Sequence, residues 1–144
     1  MTNAKILIAD DDRNICELLR IYLEKEGCSV VLAGNGEEAI SKFDEEDPDI
    51  ILLDVMMPKL DGWQVCRELR KKSECPIIMI TAKGETFDKV LGLEIGADDY
   101  ITKPFNPVTL GAKVKALIRR SRNSVTGTES IISAGPFTYN TSTL

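Results

Sequence analysis

Short apolar runs recur along this chain and alternate with longer stretches of mixed polarity. The runs at residues 6–9, 50–53 and 77–80 contain no polar residue, and their length is typical of strands that are buried on both faces. Between such runs, apolar residues recur at helical spacing, as in the series Ile15, Leu18, Leu19, Tyr22 and Leu23. Buried strands that alternate with helices predict an α/β fold, in which helices cover both faces of a parallel sheet.

Five strand-and-helix units follow one another along the chain. The predicted strands are residues 6–9, 29–33, 50–53, 77–80 and 99–102. The predicted helices include a weaker one over residues 86–95 and a last one over residues 107–121. All crossovers in such a sheet should be right-handed, and functional groups should gather at the carboxyl ends of the strands.

The composition argues against several classes of function. A net charge of -5 disfavours nonspecific binding of nucleic acid. No apolar run approaches the ~20 residues that a membrane span needs, and the N-terminus lacks the pattern of a signal peptide, so we expect a cytoplasmic protein. With no histidine and with four cysteines that form no Cys-x-x-Cys pair, a zinc site is disfavoured and the thiols are expected to be reduced core residues.

Polar side chains stand at the predicted carboxyl ends of four strands. Asp10 and Asp11 follow the first strand and Asp54 follows the third, while Thr81 follows the fourth and Lys103 ends the fifth. Because the carboxyl ends of parallel strands meet at one edge of the sheet, we expect these side chains to converge.

The converging groups have the chemistry of a metal-assisted phosphoryl site. Crowded carboxylates repel one another, and oxygen ligands without histidine or thiolate suit Mg²⁺ or Mn²⁺. With such a cation bound, Asp54 can act as a nucleophile toward phosphorus. Lys103 and the Thr81 hydroxyl are then placed to hold the phosphoryl oxygens.

Helix capping is the alternative explanation for carboxylates at strand ends. Asp12 lies just before a predicted helix that starts at Asn14, where its side chain can cap the helix. The helix after Asp54 starts only near Gly62, which is too far away for capping. From the residues alone, a metal and phosphoryl site and a set of caps and surface charges both stay open.

Several segments together carry a resemblance to a known family. They are ILIADDD at residues 6–12, LLDVMMP at 52–58, DG at 61–62, ITA at 80–82 and GADDYITKPF at 96–105. In this order and spacing the chain resembles bacterial two-component response regulators, with a receiver of the OmpR/PhoB type. The resemblance implies a flavodoxin-like receiver fold, a five-stranded parallel sheet in the order 2-1-3-4-5.

The resemblance also implies a role for each residue of the predicted site. Asp54 is the phosphoacceptor, which takes its phosphoryl group from a partner histidine kinase. Thr81 and Tyr100 are the switch residues, and Lys103 contacts the phosphoryl group. The bond between Lys103 and Pro104 is expected to be cis. The implied ligands of Mg²⁺ or Mn²⁺ are Asp10, Asp11, Asp54 and the main-chain carbonyl of Met56.

Phosphorylation is expected to reshape the surface of the fourth helix, the fifth strand and the fifth helix, and to drive homodimerisation there. The residues that match the family's dimer face are Lys89, Val90, Leu93, Glu94, Asp99, Ala112, Lys113 and Lys115. Thr109 stands where the family commonly has an acid that pairs with Lys89, so that ion pair lacks its usual partner. A solvated charged face is the alternative interpretation.

The chain divides into a receiver at residues 1–121, a polar linker at 122–130 and a tail at 131–144. The tail resembles the opening strands of a winged-helix DNA-binding domain, and a disordered extension is the alternative. Since the tail is too short to include a recognition helix, DNA contact is expected only through a missing C-terminal domain. The expected whole is a transcription regulator.

Three other interpretations fit the residues less well. A haloacid-dehalogenase-type phosphatase would place its nucleophile in Asp-x-Asp-x-Thr/Val, and that pattern fails at Asn14. A calcium loop would need glycine at Ile15 and glutamate at Ile21. A degenerate receiver that works only by docking would lack at least one of the site residues, all of which are present.

Overall fold

The computed structural model describes residues 4–82 and 96–130, with side chains described except at 82 and 122–130. Its five strands form one parallel sheet in the order β2-β1-β3-β4-β5. The strands are β1 (Lys5–Ala9), β2 (Ser29–Ala33), β3 (Ile50–Asp54), β4 (Ile77–Ala82) and β5 (Asp99–Lys103). This confirms the predicted α/β fold and its strand order.

The helices cover the sheet from both sides. They are α1 (Arg13–Lys25), α2 (Gly36–Glu46), α3 (Gly62–Arg70) and a further one called here the last helix (Pro107–Ser130). Buried residues of α1 and the last helix belong to one apolar core, and those of α2 and α3 belong to the other. Within the described ranges, no helix is both long and apolar enough to span a membrane.

The alternation of side chains along a strand explains why the buried stretches of β1, β3 and β4, at residues 6–9, 50–53 and 77–80, are apolar. In β1, Ile6 and Ile8 pack in the core under α1, whereas Leu7 and Ala9 pack in the core under α2 and α3. Successive side chains of a strand point to opposite faces. A central strand with helices on both faces therefore has no position for a solvated residue until it reaches its carboxyl end.

Short polar caps set where the helices begin. Asp12 accepts hydrogen bonds from the backbone N–H groups of Asn14 and Ile15, which confirms the predicted cap of α1. Asp61 and Gln64 form a reciprocal capping box at the start of α3. The caps of α1, α2 and α3 are Asp12, Asn35 and Asp61, so Asp54 caps none of these helices, as the spacing predicted.

The last helix is longer than predicted. It continues to Ser130, whereas the sequence interpretation ended it near Ser121 and assigned residues 122–130 to a flexible linker. The chain has no proline between residues 108 and 135, and the single Gly127 costs a helix only ~1 kcal/mol relative to alanine. Polar composition alone was therefore a poor criterion for predicting where this helix ends. The predicted helix at 86–95 and the tail at 131–144 lie outside the described residues.

Candidate functional site

The predicted site residues meet at the carboxyl edge of the sheet. Asp10 directly follows β1 and Asp54 is the last residue of β3. Thr81 is the penultimate residue of β4, and Lys103 is the last residue of β5. Asp10, Asp54 and Thr81 are the three polar residues buried in the described part of the chain, with exposures of 1%, 5% and 0%. Because β1, β3, β4 and β5 are neighbours in the sheet, residues far apart in sequence come together here.

Lys103 is the cation of this edge. Its Nζ lies 3.2 Å from Asp10 Oδ2 and 3.4 Å from Asp54 Oδ2. The Lys103–Pro104 peptide bond is cis, as the resemblance implied. Burial by itself lowers the pKa of the Lys103 ammonium, but the charges of Asp54 and Asp10 outweigh it and the net shift is upward. The lysine therefore stays charged between two buried carboxylates.

Asp54 is held in an environment that disfavours its charged form. Burial, followed by the negative charge of Asp10, raises the pKa of the Asp54 carboxyl to about 7, although Lys103 acts in the opposite direction. Its Oδ1 accepts a long hydrogen bond of 3.4 Å from the backbone N–H of Met56. One lysine thus forms ion pairs with two buried carboxylates, and the site has an excess of negative charge.

Two buried side-chain oxygens at this edge take part in no hydrogen bond. They are Asp10 Oδ2, which has the Lys103 ammonium nearby but not in hydrogen-bond geometry, and the hydroxyl Oγ1 of Thr81. Buried polar atoms normally find partners, because leaving one unpaired costs about 1–3 kcal/mol. Within the described residues, these unpaired atoms mark a place for a ligand that supplies the missing contacts.

The acidic side of the site fits a hard divalent cation. One carboxylate oxygen from each of Asp10, Asp11 and Asp54 lies within 4.8 Å of the others, and Asp11 is exposed to solvent. An oxygen-only set that is open to water on one side matches the preferences of Mg²⁺. The carbonyl of Met56 as a further ligand stays a prediction.

The predicted switch residues lie on neighbouring strands. Thr81 of β4 is in register with Thr102 of β5, two residues beyond Tyr100. Tyr100 is half-buried and packs against the core under α2 and α3. The two side chains are therefore on adjacent strands of the same edge region, and their coupling stays a prediction.

The dimer-face residues that are described have partners within the chain or are exposed. Lys113 Nζ lies 3.1 Å from Asp99 Oδ2, and Lys115 Nζ lies 2.9 Å from Glu26 Oε1. Ala112 is exposed on the last helix. The other residues predicted for this face lie outside the described ranges: Lys89, Val90, Leu93 and Glu94.

One contact behind the site was missed by the sequence interpretation. The thiol of Cys16 donates a 3.2 Å hydrogen bond to the backbone carbonyl of Asp10. Burial and the charges of Asp10 and Asp12 raise the pKa of the Cys16 thiol to about 11, so it serves as a neutral donor. Its position on the buried face of α1, one turn after Asp12, was the signal that could have revealed it.

Comparison with known proteins gives a single family. Residues 6–115 match the family model described as the response regulator receiver domain. The alkaline phosphatase synthesis transcriptional regulatory protein PhoP of Bacillus subtilis (strain 168) is 55% identical over 128 residues, which are 88% of this chain and 53% of that protein. The chain spans about half the length of the curated relatives that it matches.

Solved structures agree with the sequence comparison. The receiver domain of the Francisella response regulator 1452 is 38% identical, with a TM-score of 0.79, and the match covers 83% of this chain and 99% of that one. A two-component response regulator from Clostridium difficile is 41% identical, also with a TM-score of 0.79, and the match covers 83% of this chain and 98% of that one. The chain therefore belongs to the family of two-component response regulator receiver domains, of the PhoP-like type.

Proposed function

We propose that this receiver accepts a phosphoryl group on Asp54 from the phosphohistidine of a sensor histidine kinase. The observation that carries the proposal is the pair of unsatisfied buried oxygens beside a lysine that two carboxylates share. A folded domain retains such an arrangement at a cost, and a phosphoryl group with its counter-ion would supply the missing partners.

Each residue of the site has a separate role in the transfer. An Asp54 carboxylate oxygen attacks phosphorus, an O–P bond forms, and the N–P bond breaks with its electron pair left on the histidine nitrogen. The Lys103 ammonium and the Thr81 hydroxyl hold phosphoryl oxygens as charge develops on them. Asp10, Asp11, Asp54 and the Met56 carbonyl would hold Mg²⁺ or Mn²⁺, which neutralises negative charge on the transferred group when it is bound. Hydrolysis of the acyl phosphate later resets Asp54, so the chain catalyses its own modification and its reversal.

The switch follows from the same contacts. A phosphoryl group offers strong acceptors, toward which the Thr81 hydroxyl moves. The space that Thr81 leaves allows the Tyr100 ring to turn inward and changes the neighbouring surface. That surface would then support a homodimer through Ala112, Asp99, Lys113 and Lys115, together with Lys89, Val90, Leu93 and Glu94. Asp99 and Lys113 pair within the chain at 3.1 Å, so dimerisation would exchange or share this ion pair.

The full-length protein would act as a cytoplasmic transcription regulator that binds DNA through a domain following the receiver. The support is the similarity to transcriptional regulators about twice as long as the matched segment. Residues 122–144 would then include the connection to that domain and its first strands.

The test is the intact mass of the protein after incubation with Mg²⁺ and acetyl phosphate. We expect the wild type to gain one phosphoryl group, and Asp54→Asn to gain none. Asp61→Asn is the matched control, because the same chemical change falls seven residues further on at a helix cap. Omission of the metal should abolish the gain. A folded wild type that gains no mass with Mg²⁺ present would mean a degenerate receiver that signals by docking.

A further inference from the structure

The loop between β3 and α3, residues 55–61, rests against the start of α2. The backbone N–H of Gly36 donates a 3.4 Å hydrogen bond to the carbonyl of Pro58. There is no room for a side chain on Gly36, because a Cβ there would lie 2.1 Å from the carbonyl oxygen of Leu60 and 2.5 Å from the Leu60 Cβ. The loop backbone and the first turn of α2 are therefore in direct contact.

The other end of the same loop is held against the phosphoacceptor strand. The N–H of Gly62 donates a 2.8 Å hydrogen bond to the carbonyl of Val55. A Cβ on Gly62 would lie 2.4 Å from the carbonyl oxygen of Asp54. Between these two anchors, the N–H of Met56 reaches Asp54 Oδ1 at 3.4 Å. The loop that contains Met56 is thus held at Val55 by Gly62 and at Pro58 and Leu60 by the first residue of α2.

The contact at Gly36 depends on shape rather than on charge. The neighbouring ion pair, Lys59 Nζ to Glu37 Oε1 at 3.6 Å, joins two exposed side chains, and such pairs contribute little. Gly36 is the first residue of α2, where alanine would favour the helix more than glycine does. Its backbone does not adopt the left-handed conformation that favours glycine. What glycine supplies here is the absence of a Cβ.

We propose that Gly36 is a positioning residue for the phosphorylation site. It lets α2 support the 55–61 loop in the position from which the Met56 N–H reaches the Asp54 carboxylate. The inference rests on the proposed function, because it concerns the cation that would be held there. Supporting groups that orient metal ligands typically change metal affinity about 10–100-fold when they are altered.

The test compares Gly36→Ala with Gly34→Ala. A Cβ on Gly34 would meet only Glu38 Oε1 at 3.6 Å, an ordinary contact, so the control adds the same methyl group two residues away without displacing the loop. The Mg²⁺ dissociation constant is measured by calorimetry, and backbone amide shifts of residues 55–62 are recorded in metal-free protein. We expect Gly36→Ala to bind Mg²⁺ about 10-fold more weakly and to shift the loop amides, with both readouts unchanged in Gly34→Ala.

A merely structural role would give a different pattern. In that case Gly36→Ala would lower the urea midpoint while the folded protein kept the wild-type Mg²⁺ affinity, and this result would overturn the inference. Phosphorylation by acetyl phosphate at saturating Mg²⁺ should recover toward the wild-type rate if the defect lies in metal affinity. A wild type that does not bind Mg²⁺ would instead refute the proposed function, which keeps the two failures distinct.

A measurement on the wild type covers the case in which Gly36→Ala does not fold. Mg²⁺ is titrated into the labelled protein, and the amides of Gly34, Gly36 and Met56 are followed. We expect the Gly36 amide to shift together with that of Met56, because its acceptor is the loop carbonyl of Pro58. The Gly34 amide, bonded to Glu38 Oε1 at 2.6 Å, should not move. A Gly36 amide that stays in place while Met56 shifts would overturn the proposal.

Discussion

The two edges of the sheet differ in whether their polar side chains are hydrogen-bonded within the protein. At the amino edge, where β4 and β5 begin, Arg70 and Asp98 form a network in which each group has partners. At the carboxyl edge, Asp10 and Thr81 each retain a buried oxygen that takes part in no hydrogen bond, although Lys103 lies 3.2 Å from that of Asp10. Both edges belong to one sheet with one apolar core on each face, so the difference does not come from packing.

The network at the amino edge connects segments that are distant in sequence. Arg70 Nε donates to the carbonyl of Gly96, Nη1 to the carbonyl of Cys75 and Nη2 to Asp98 Oδ2, each at 2.8 Å. Asp98 Oδ2 also accepts the N–H of Ile77 at 2.8 Å. The end of α3 and the starts of β4 and β5 are thereby joined through one guanidinium group. Charged groups that are hydrogen-bonded to several distant segments indicate a structural role.

The carboxyl edge has the pattern expected of a binding site. Its charges do not balance, since Lys103 lies between two buried carboxylates, and two of its buried oxygens take part in no hydrogen bond. The comparison therefore predicts that mutations at the amino edge reduce stability. Mutations that remove charge or polarity at the carboxyl edge should preserve stability, or increase it, at the expense of function.

The largest expected effect is at the amino edge. Arg70→Ala should lower the free energy of unfolding by about 2–3 kcal/mol, because it removes the charged donor of three main-chain carbonyls and of Asp98. Urea unfolding measures the change. Arg67→Ala, an exposed arginine one turn earlier in α3, is the control and should stay within ~0.5 kcal/mol of the wild type. Equal losses in the two variants would contradict the assignment of a structural network.

A substitution at Asp54 is expected to change the free energy of unfolding by an intermediate amount and in the opposite direction. In metal-free buffer at pH 8, Asp54→Asn should raise the free energy of unfolding by about 1–2 kcal/mol, since it removes a buried charge beside Asp10. The wild-type carboxyl has its pKa raised to about 7, so its folded form binds a proton more tightly than the unfolded chain does. The wild type therefore loses stability as the pH rises from about 4 to 7, and the advantage of asparagine should fade on acidification. A destabilised variant at pH 8 would mean that the Lys103 contact outweighs the repulsion.

The smallest expected effect is at Thr81. Thr81→Val replaces an unpaired buried hydroxyl with a methyl group of similar size, and should leave stability unchanged or raise it by up to ~1 kcal/mol. Thermal unfolding in metal-free buffer is the measurement. Thr102→Val, on the neighbouring strand in register with Thr81, is a matched control at a half-buried position. A clear loss of stability in Thr81→Val alone would show that its hydroxyl is used within the fold.

The alternation of apolar runs with helical patterns was enough to predict the class of fold and the edge that carries the polar side chains. Every strand that ends in the site was predicted within a residue or two, because a strand buried on both faces must stay apolar until it leaves the core. The cap at Asp12 was also predictable, since capping involves neighbouring backbone groups. The strand order came from the resemblance, because local patterns do not say which strands are neighbours.

The contacts that distinguish the two edges could not be predicted in this way. Nothing local to Arg70 indicates that its partner is Asp98, 28 residues further on, and nothing local to Gly36 indicates a contact with Leu60. The predicted end of the last helix was wrong, because the polar composition of residues 122–130 was interpreted as a linker although this segment contains no residue that stops a helix. The sequence by itself determined which residues lie in strands and helices and which strand ends carry charge. The tertiary structure decided which of those charges find partners, because that depends on how helices distant in sequence are placed on the sheet.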